Sequence, residues 1–144
     1  MNRVATDLSH APTTVVVVAT GERSESTARA LAAVEPGCIT LDGDAALALI
    51  RSRPFSVRAM VVSGDGESRA IQALLAAVKE FAPRLPIVFL DERDSTTSEL
   101  IVRRSGVHYY THAPAATGEI SAVLHGLTGG TPAQFPAVAS HPVE

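Results

Sequence analysis

The sequence has one cysteine, Cys38, and no tryptophan; its aromatic residues are two tyrosines and four phenylalanines. A lone cysteine excludes an intramolecular disulfide and fits a reducing compartment. Cys38 opens the apolar run Cys38-Ile39-Thr40-Leu41, where a small buried hydrophobe is a simpler reading than a reactive thiol. Long hydrophobic runs are missing too. The early run Val15 to Ala19 falls far short of the ~20 residues that a membrane-crossing helix needs. The first residues carry no hydrophobic secretory segment, so the expected location is the cytoplasm. Nor is there a basic stripe. Twelve Lys and Arg are scattered against 15 Asp and Glu, a net charge of −3, which argues against a nucleic-acid surface on this segment.

What is present is enough apolar material for a packed core. The 144 residues are 46% hydrophobic, with alanine and valine dominant, and their number suits one domain. Residues 1–13 are polar, hold Pro12 and show no period; they read as a flexible leader. Residues 14–127 read as the domain. From Thr128 the composition turns to Gly, Pro, Ala and Ser, the mark of a flexible linker or tail over 128–144.

Within 14–127, short apolar runs alternate with helical patterns. Val15 to Val18 is a continuous β-branched run of the kind buried on both faces of a parallel sheet. A turn at Gly21 leads to a helix over Ser24 to Val34, ended near Pro36-Gly37. Cys38 to Leu41 is the second strand, and Asp44 is the expected cap of a helix over Ala45 to Arg51. Arg58 to Val62 is the third strand. Ile71, Leu74, Leu75 and Val78 follow at i, i+3, i+4 and i+7, one face of a helix. Ile87 to Leu90 is the fourth strand. Thr96 to Glu99 has capping-box spacing for a helix that ends at Gly106. Tyr109 to Thr111 is the fifth strand, and Ile120, Val123, Leu124 and Leu127 mark the last helix. Five such units predict an α/β fold: a doubly wound, five-stranded parallel sheet in the order 2-1-3-4-5, in three αβα layers, with ligand sites at the carboxyl ends of the strands.

The segment Gln72 to Ala115 resembles the receiver domain of bacterial response regulators, the CheY-like family. Ala77 to Pro86 looks like the family's third-helix ending and its Leu-Pro entry to the fourth strand. From Ile87 through Pro114 the pattern continues with a capped helix, the Arg-x-Gly ending Arg104-Ser105-Gly106, an aromatic strand and a proline. The resemblance implies a flavodoxin-like signalling domain. Receivers transfer a phosphoryl group to an Asp, using an acidic pair to hold Mg²⁺, a Thr or Ser ending the fourth strand and a Lys ending the fifth. The charge on the phosphoryl oxygens demands a cation and donors nearby. By position, the acidic pair becomes Ala19 and Thr20, the acceptor Gly64, the hydroxyl residue Asp91 and the lysine Ala113. A one-residue shift would place Asp65 at the acceptor position, with the metal pair and lysine still absent. The expectation is a degenerate pseudo-receiver, without catalytic residues or a cofactor, that acts by binding a protein partner or a second copy. Tyr110 matches the family's switch aromatic. Ala113-Pro114 matches a peptide that is often cis in receivers. Glu99, Arg103, Arg104, Tyr110 and Glu119 are candidate interface residues by the same resemblance, although each also suits a solvated charged face.

Three other patterns have competing readings. The Gly21 loop, Thr20 to Ser24, faintly matches an anion-binding turn, which gives the alternative of a flavodoxin-like ligand or phosphate binder; Glu22 beside a phosphate opposes it. Asp65, Asp91 and Asp94 with Glu67 and Glu92 could gather at one edge and hold a divalent cation, or serve as turn residues and caps. His108 and His112 lie across a strand, about 13 Å apart, too far to share a metal. No nucleophile–base–acid order emerges from the serines and histidines, so an enzyme is not expected.

Overall fold

The computed structural model describes residues 14–20, 22–113 and 117–127. The elements in order are β1 (Thr14–Ala19), α1 (Glu22–Val34), β2 (Cys38–Thr40), α2 (Gly43–Ser52), a single 3₁₀ turn (Pro54–Ser56), β3 (Val57–Gly64), α3 (Arg69–Phe81), β4 (Ile87–Asp91), α4 (Thr96–Arg104), β5 (Tyr109–His112) and α5 (Thr117–Leu127). The strands form one five-stranded sheet in the order β2-β1-β3-β4-β5. Every pairing is parallel. This is the flavodoxin-like, CheY-type fold that the alternating pattern predicts.

The valines of β1 show why the sheet needs cover on both sides. Alternate side chains of a strand point to opposite faces. Val16 and Val18 join one core with Ala46 and Ile50 of α2, Ile71, Leu75 and Val78 of α3, and Val102 of α4. Val15 and Val17 join the other with Ala28 and Leu31 of α1 and Ile120 and Leu124 of α5. All four valines are buried, which accounts for the unbroken apolar run. β2 departs from this. It is a three-residue edge strand whose Ile39 is exposed and whose Cys38 is only partly buried. Burial, with the charge of Glu35 behind it, pushes the Cys38 thiol up from its ordinary value, which disfavours the reactive thiolate.

The helix starts correct the sequence reading in two places. Asp42, not Asp44, caps α2, its carboxylate accepting from the Ala45 N–H at 2.7 Å. Ser95, not Thr96, caps α4, its hydroxyl accepting from the Ser98 N–H at 2.9 Å; the expected reciprocal box does not form, because Ser98 donates to Asp91 and Glu99 pairs with Arg103. Adjacent Asp, Ser and Thr compete for one cap, and the winner is the residue whose backbone stays extended. At the other ends, Gly37 and Gly106 hold φ of 84° and 87°, the left-handed turn expected of helix-ending glycines. The Gly21 turn and the Ala113–Pro114 peptide lie outside the described residues. Among the described residues, no helix is long and apolar enough to cross a membrane.

Candidate functional site at the carboxyl edge of the sheet

Parallel strands bring the residues singled out above to one edge. Gly64 and Asp91, the last residues of β3 and β4, are register partners, as are Asp91 and His112. Thr20 follows β1 and donates both its N–H (3.0 Å) and its hydroxyl (3.1 Å) to the carbonyl of Ser63. The Ala113 N–H donates to the Asp91 carbonyl at 2.9 Å. Ala19, Thr20, Gly64, Asp91 and Ala113 thus form a contiguous rim.

Asp91 organises that rim. Its residue exposure is 1%, a burial that a carboxylate tolerates only with its oxygens satisfied. Oδ1 accepts from the N–H of Gly66 (3.1 Å) and of Arg93 (2.9 Å). Oδ2 accepts from the hydroxyls of Ser98 and Tyr110, each at 2.5 Å. Four donors from the β3–α3 loop, the β4–α4 loop, α4 and β5 therefore converge on one carboxylate. The Tyr110 ring is buried beside Phe89, nearly parallel at 7° with centroids 6.2 Å apart, and the Arg103 guanidinium lies 5.2 Å from its centroid. Burial first, then the bond to Asp91, pushes the Tyr110 phenol well above its ordinary range.

The position opposite Asp91 has no room for a side chain. A Cβ on Gly64 would lie 2.1 Å from Thr20 Oγ1 and 3.3 Å from Ile71 Cδ1. Gly66 is equally enclosed: its Cβ would lie 2.2 Å from Ser98 Oγ and 2.7 Å from Val102 Cγ2. The loop backbone is thereby seated against the Asp91 cluster.

The acidic residues at this edge do not gather. Arg93 donates to both oxygens of Asp65, at 2.8 and 2.7 Å, and lies 3.7 Å from Glu67, which also accepts from Ser95 Oγ. The Arg93 bond is the main reason that the Asp65 carboxyl is held down at about 2. Asp91 faces inward to its own donors, and Asp94 is exposed. Among the described residues no cluster of three or more His, Cys, Asp or Glu is placed to hold a metal ion. Of the two readings open for these carboxylates, turn residues rather than a cation site fit the arrangement, since Arg93, two residues past the strand, takes up the nearest of them. The two histidines are likewise separate. His108 accepts from the Ile87 N–H at 3.1 Å, while His112 sits edge-on to Tyr110.

On the neighbouring surface, Glu99 pairs with Arg103 at 2.8 Å and Arg103 covers Tyr110, so these three candidate interface residues are linked. Glu119 instead accepts from Tyr109, and Arg104 is exposed.

Sequence reasoning missed Ser98, a buried donor to Asp91. The available signal was its place one turn before the buried Val102, a polar residue within an apolar stripe. It also missed a second polar cluster at the opposite edge. Glu35, 3% exposed and just past α1, accepts from Arg58 (2.9 Å) and Ser121 and lies 3.2 Å from the His125 ring, tying the end of α1 to β3 and α5. Arg58 at the start of an otherwise apolar strand was the clue there.

Comparison with solved structures gives the same architecture. The receiver domain of NtrX from Brucella abortus superposes with a TM-score of 0.65 at 22% identity, over 81% of this chain and 98% of that one. The chain has the receiver fold. A response regulator receiver domain from Clostridium thermocellum matches with a TM-score of 0.68 at 11% identity, over 81% and 94% of the two chains. NtrX from Brucella abortus in a longer form matches at 0.67 and 19% identity; the alignment spans 90% of this chain but 30% of that one. No protein-family model and no curated protein matches the sequence. On the receiver fold, the rim around Gly64 and Asp91 is the edge to which the family resemblance assigns the phosphorylation residues, and here Thr20 packs against Gly64 and Asp91 is held by its own hydrogen bonds.

Proposed function

We propose that this chain is a pseudo-receiver, a regulatory protein-interaction domain of bacterial signal transduction that works without phosphorylation and without catalysis. One observation carries the reading. The buried Asp91 carboxylate occupies the hydroxyl position of a receiver and binds Ser98, Tyr110 and two loop N–H groups. An internal anion thus receives donors at the edge where an aspartyl phosphate would recruit them. Tyr110 is held inward by a bond that needs no phosphoryl group. Gly64 offers no nucleophile, Ala113 offers no ammonium, and Asp65, the neighbouring carboxylate, is occupied by Arg93. The output is association through the α4–β5–α5 surface, with Glu99, Arg103, Arg104, Tyr110 and Glu119 in reach of a partner or second copy. The 30% coverage of the longer NtrX chain supports a place within a larger regulator, and the family resemblance suggests transcriptional control in the cytoplasm.

The test is a thermal-shift titration with Mg²⁺ plus beryllofluoride, with acetyl phosphate labelling read by intact-mass spectrometry. The expected result is no change in melting temperature and no adduct, because a ligand stabilises only a state that it binds. A melting shift, or a phosphoryl adduct on Asp65, overturns the reading. The ligand-binder alternative would show stabilisation by a nucleotide, flavin or inorganic phosphate instead.

A further inference from the structure

The α2 helix ends in two surfaces that complement each other. At its carboxyl end, the 3₁₀ turn presents Phe55 with 89% of its surface exposed, the most exposed large apolar side chain among the described residues. Arg51 and Arg53 flank it, both exposed and in no ion pair within the described residues. The Arg51 guanidinium lies 5.0 Å from the ring centroid of Phe81, itself 44% exposed, so the patch is at once cationic and aromatic. At the amino end of the same helix, a groove of about 740 Å³ opens between α2 and α3. Leu47 lines it over a floor of the buried Val18, Ile71 and Leu74, Thr20 and Ser68 add polar groups, and Asp42 and Asp44 stand at its rim. An exposed phenylalanine between two arginines is matched by an apolar groove beside two aspartates.

We propose that this chain binds a second copy of itself head to tail, with Phe55 of one copy entering the α2–α3 groove of the next. Burying the ring removes apolar surface from water, and Arg51 and Arg53 reach Asp42 and Asp44 across the contact. The two patches lie at opposite ends of a ten-residue helix, about 15 Å long, and so cannot meet within one molecule. The contact is heterologous: each copy keeps a free phenylalanine at one end and a free groove at the other, and association continues into a ring or filament. It goes beyond the pseudo-receiver reading, since it uses neither Tyr110 nor the α4–β5–α5 surface.

The experiment is sedimentation velocity on the whole chain over a concentration series at low and high salt. Wild type is expected to form species larger than a dimer, and fewer at high salt. Phe55→Ser removes the knob from a fully exposed site. Asp42→Asn with Asp44→Lys reverses the rim while leaving a capping side chain at position 42. Each variant alone is expected to weaken association about tenfold or more, as loss of an anchoring aromatic does. Mixed in equal amounts, they are expected to give a one-to-one pair and nothing larger, because one retains a groove facing Asp42 and Asp44 and the other retains Phe55. Circular dichroism establishes that both are folded. Wild type that stays monomeric throughout overturns the contact, as does association that survives Phe55→Ser but falls with Arg104→Glu. A mixture that gives no pair also overturns it. A response to beryllofluoride would sink the pseudo-receiver reading and leave this one standing.

Discussion

Tyr110 donates its hydroxyl to Asp91 across the end of the β4–β5 pair, at 2.5 Å, and both residues are buried. The link joins the end of β4 to the aromatic of β5, the two positions that the pseudo-receiver reading assigns to the hydroxyl residue and the switch.

Tyr110→Phe removes one of four donors to that carboxylate. The expected loss is about 1–2 kcal/mol in urea unfolding. Asp91→Ala strands all four donors at once, and the expected loss is about 3 kcal/mol or more. With no tryptophan in the chain, tyrosine fluorescence reports the same event directly, and a change in the Tyr110 environment accompanies Asp91→Ala.

Gly64→Asp places a carboxylate where the pseudo-receiver reading puts the acceptor. Its Cβ meets Thr20 Oγ1 at 2.1 Å, so the variant is expected to lose about 1–3 kcal/mol, with part recovered by adding Thr20→Ala. Beryllofluoride is still expected to leave the melting temperature unchanged, since no lysine and no acidic pair has been restored. Chemical denaturation and a thermal-shift titration check the two halves separately.

Alkaline pH addresses the two tyrosines. Burial and the bond to Glu119 push the Tyr109 phenol up to about 12, and burial with the Asp91 bond raises Tyr110 as well. A folded value above the unfolded one stabilises fully below the unfolded value of about 10 and is lost as the pH climbs beyond it. Ultraviolet titration of phenolate is therefore expected to be silent at pH 10 in the native protein and about half complete there in denaturant.

Acid addresses Asp65. Its folded value of about 2 lies below the ordinary 3.8, so the Arg93 pair contributes above the ordinary value and fades as the pH falls toward 2. The pair is well exposed, so the contribution is small. Asp65→Asn is expected to lower stability slightly at neutral pH, to flatten the profile between those two values and to leave stability near pH 2 unchanged, as followed by urea midpoints across the range.

Glu35→Ala leaves Arg58 partly buried without its carboxylate. The expected cost is about 3–5 kcal/mol, among the largest for any polar position here. Glu35→Gln, which keeps an acceptor for Ser121, is expected to cost less in the same denaturation measurement.

The fold was legible because both faces of the sheet are covered, which turns each central strand into an unbroken apolar run and each helix into a single apolar stripe. Only β2 gave a mixed signal, as an edge strand with an exposed Ile39. The rim was legible as a set of positions, since parallel pairing places strand ends side by side. Its chemistry was less so. Spacing located Asp91 but said nothing of Ser98, seven residues on, or of the loop N–H groups, because partners across a loop follow from tertiary geometry alone. The acidic edge was legible only as two alternatives for a similar reason: Arg93 looked like one scattered cation, yet it holds both Asp65 and Glu67. Caps were misplaced by one or two residues wherever polar side chains competed in series.

The glycines at 64 and 66 limit which substitutions the loop can accept. A codon change at either position meets a neighbour already seated, Thr20 Oγ1 at 2.1 Å or Ser98 Oγ at 2.2 Å. A side chain at either glycine is therefore expected to be tolerated only where its neighbour turns away or shortens with it, so each glycine and the hydroxyl against it change as a pair.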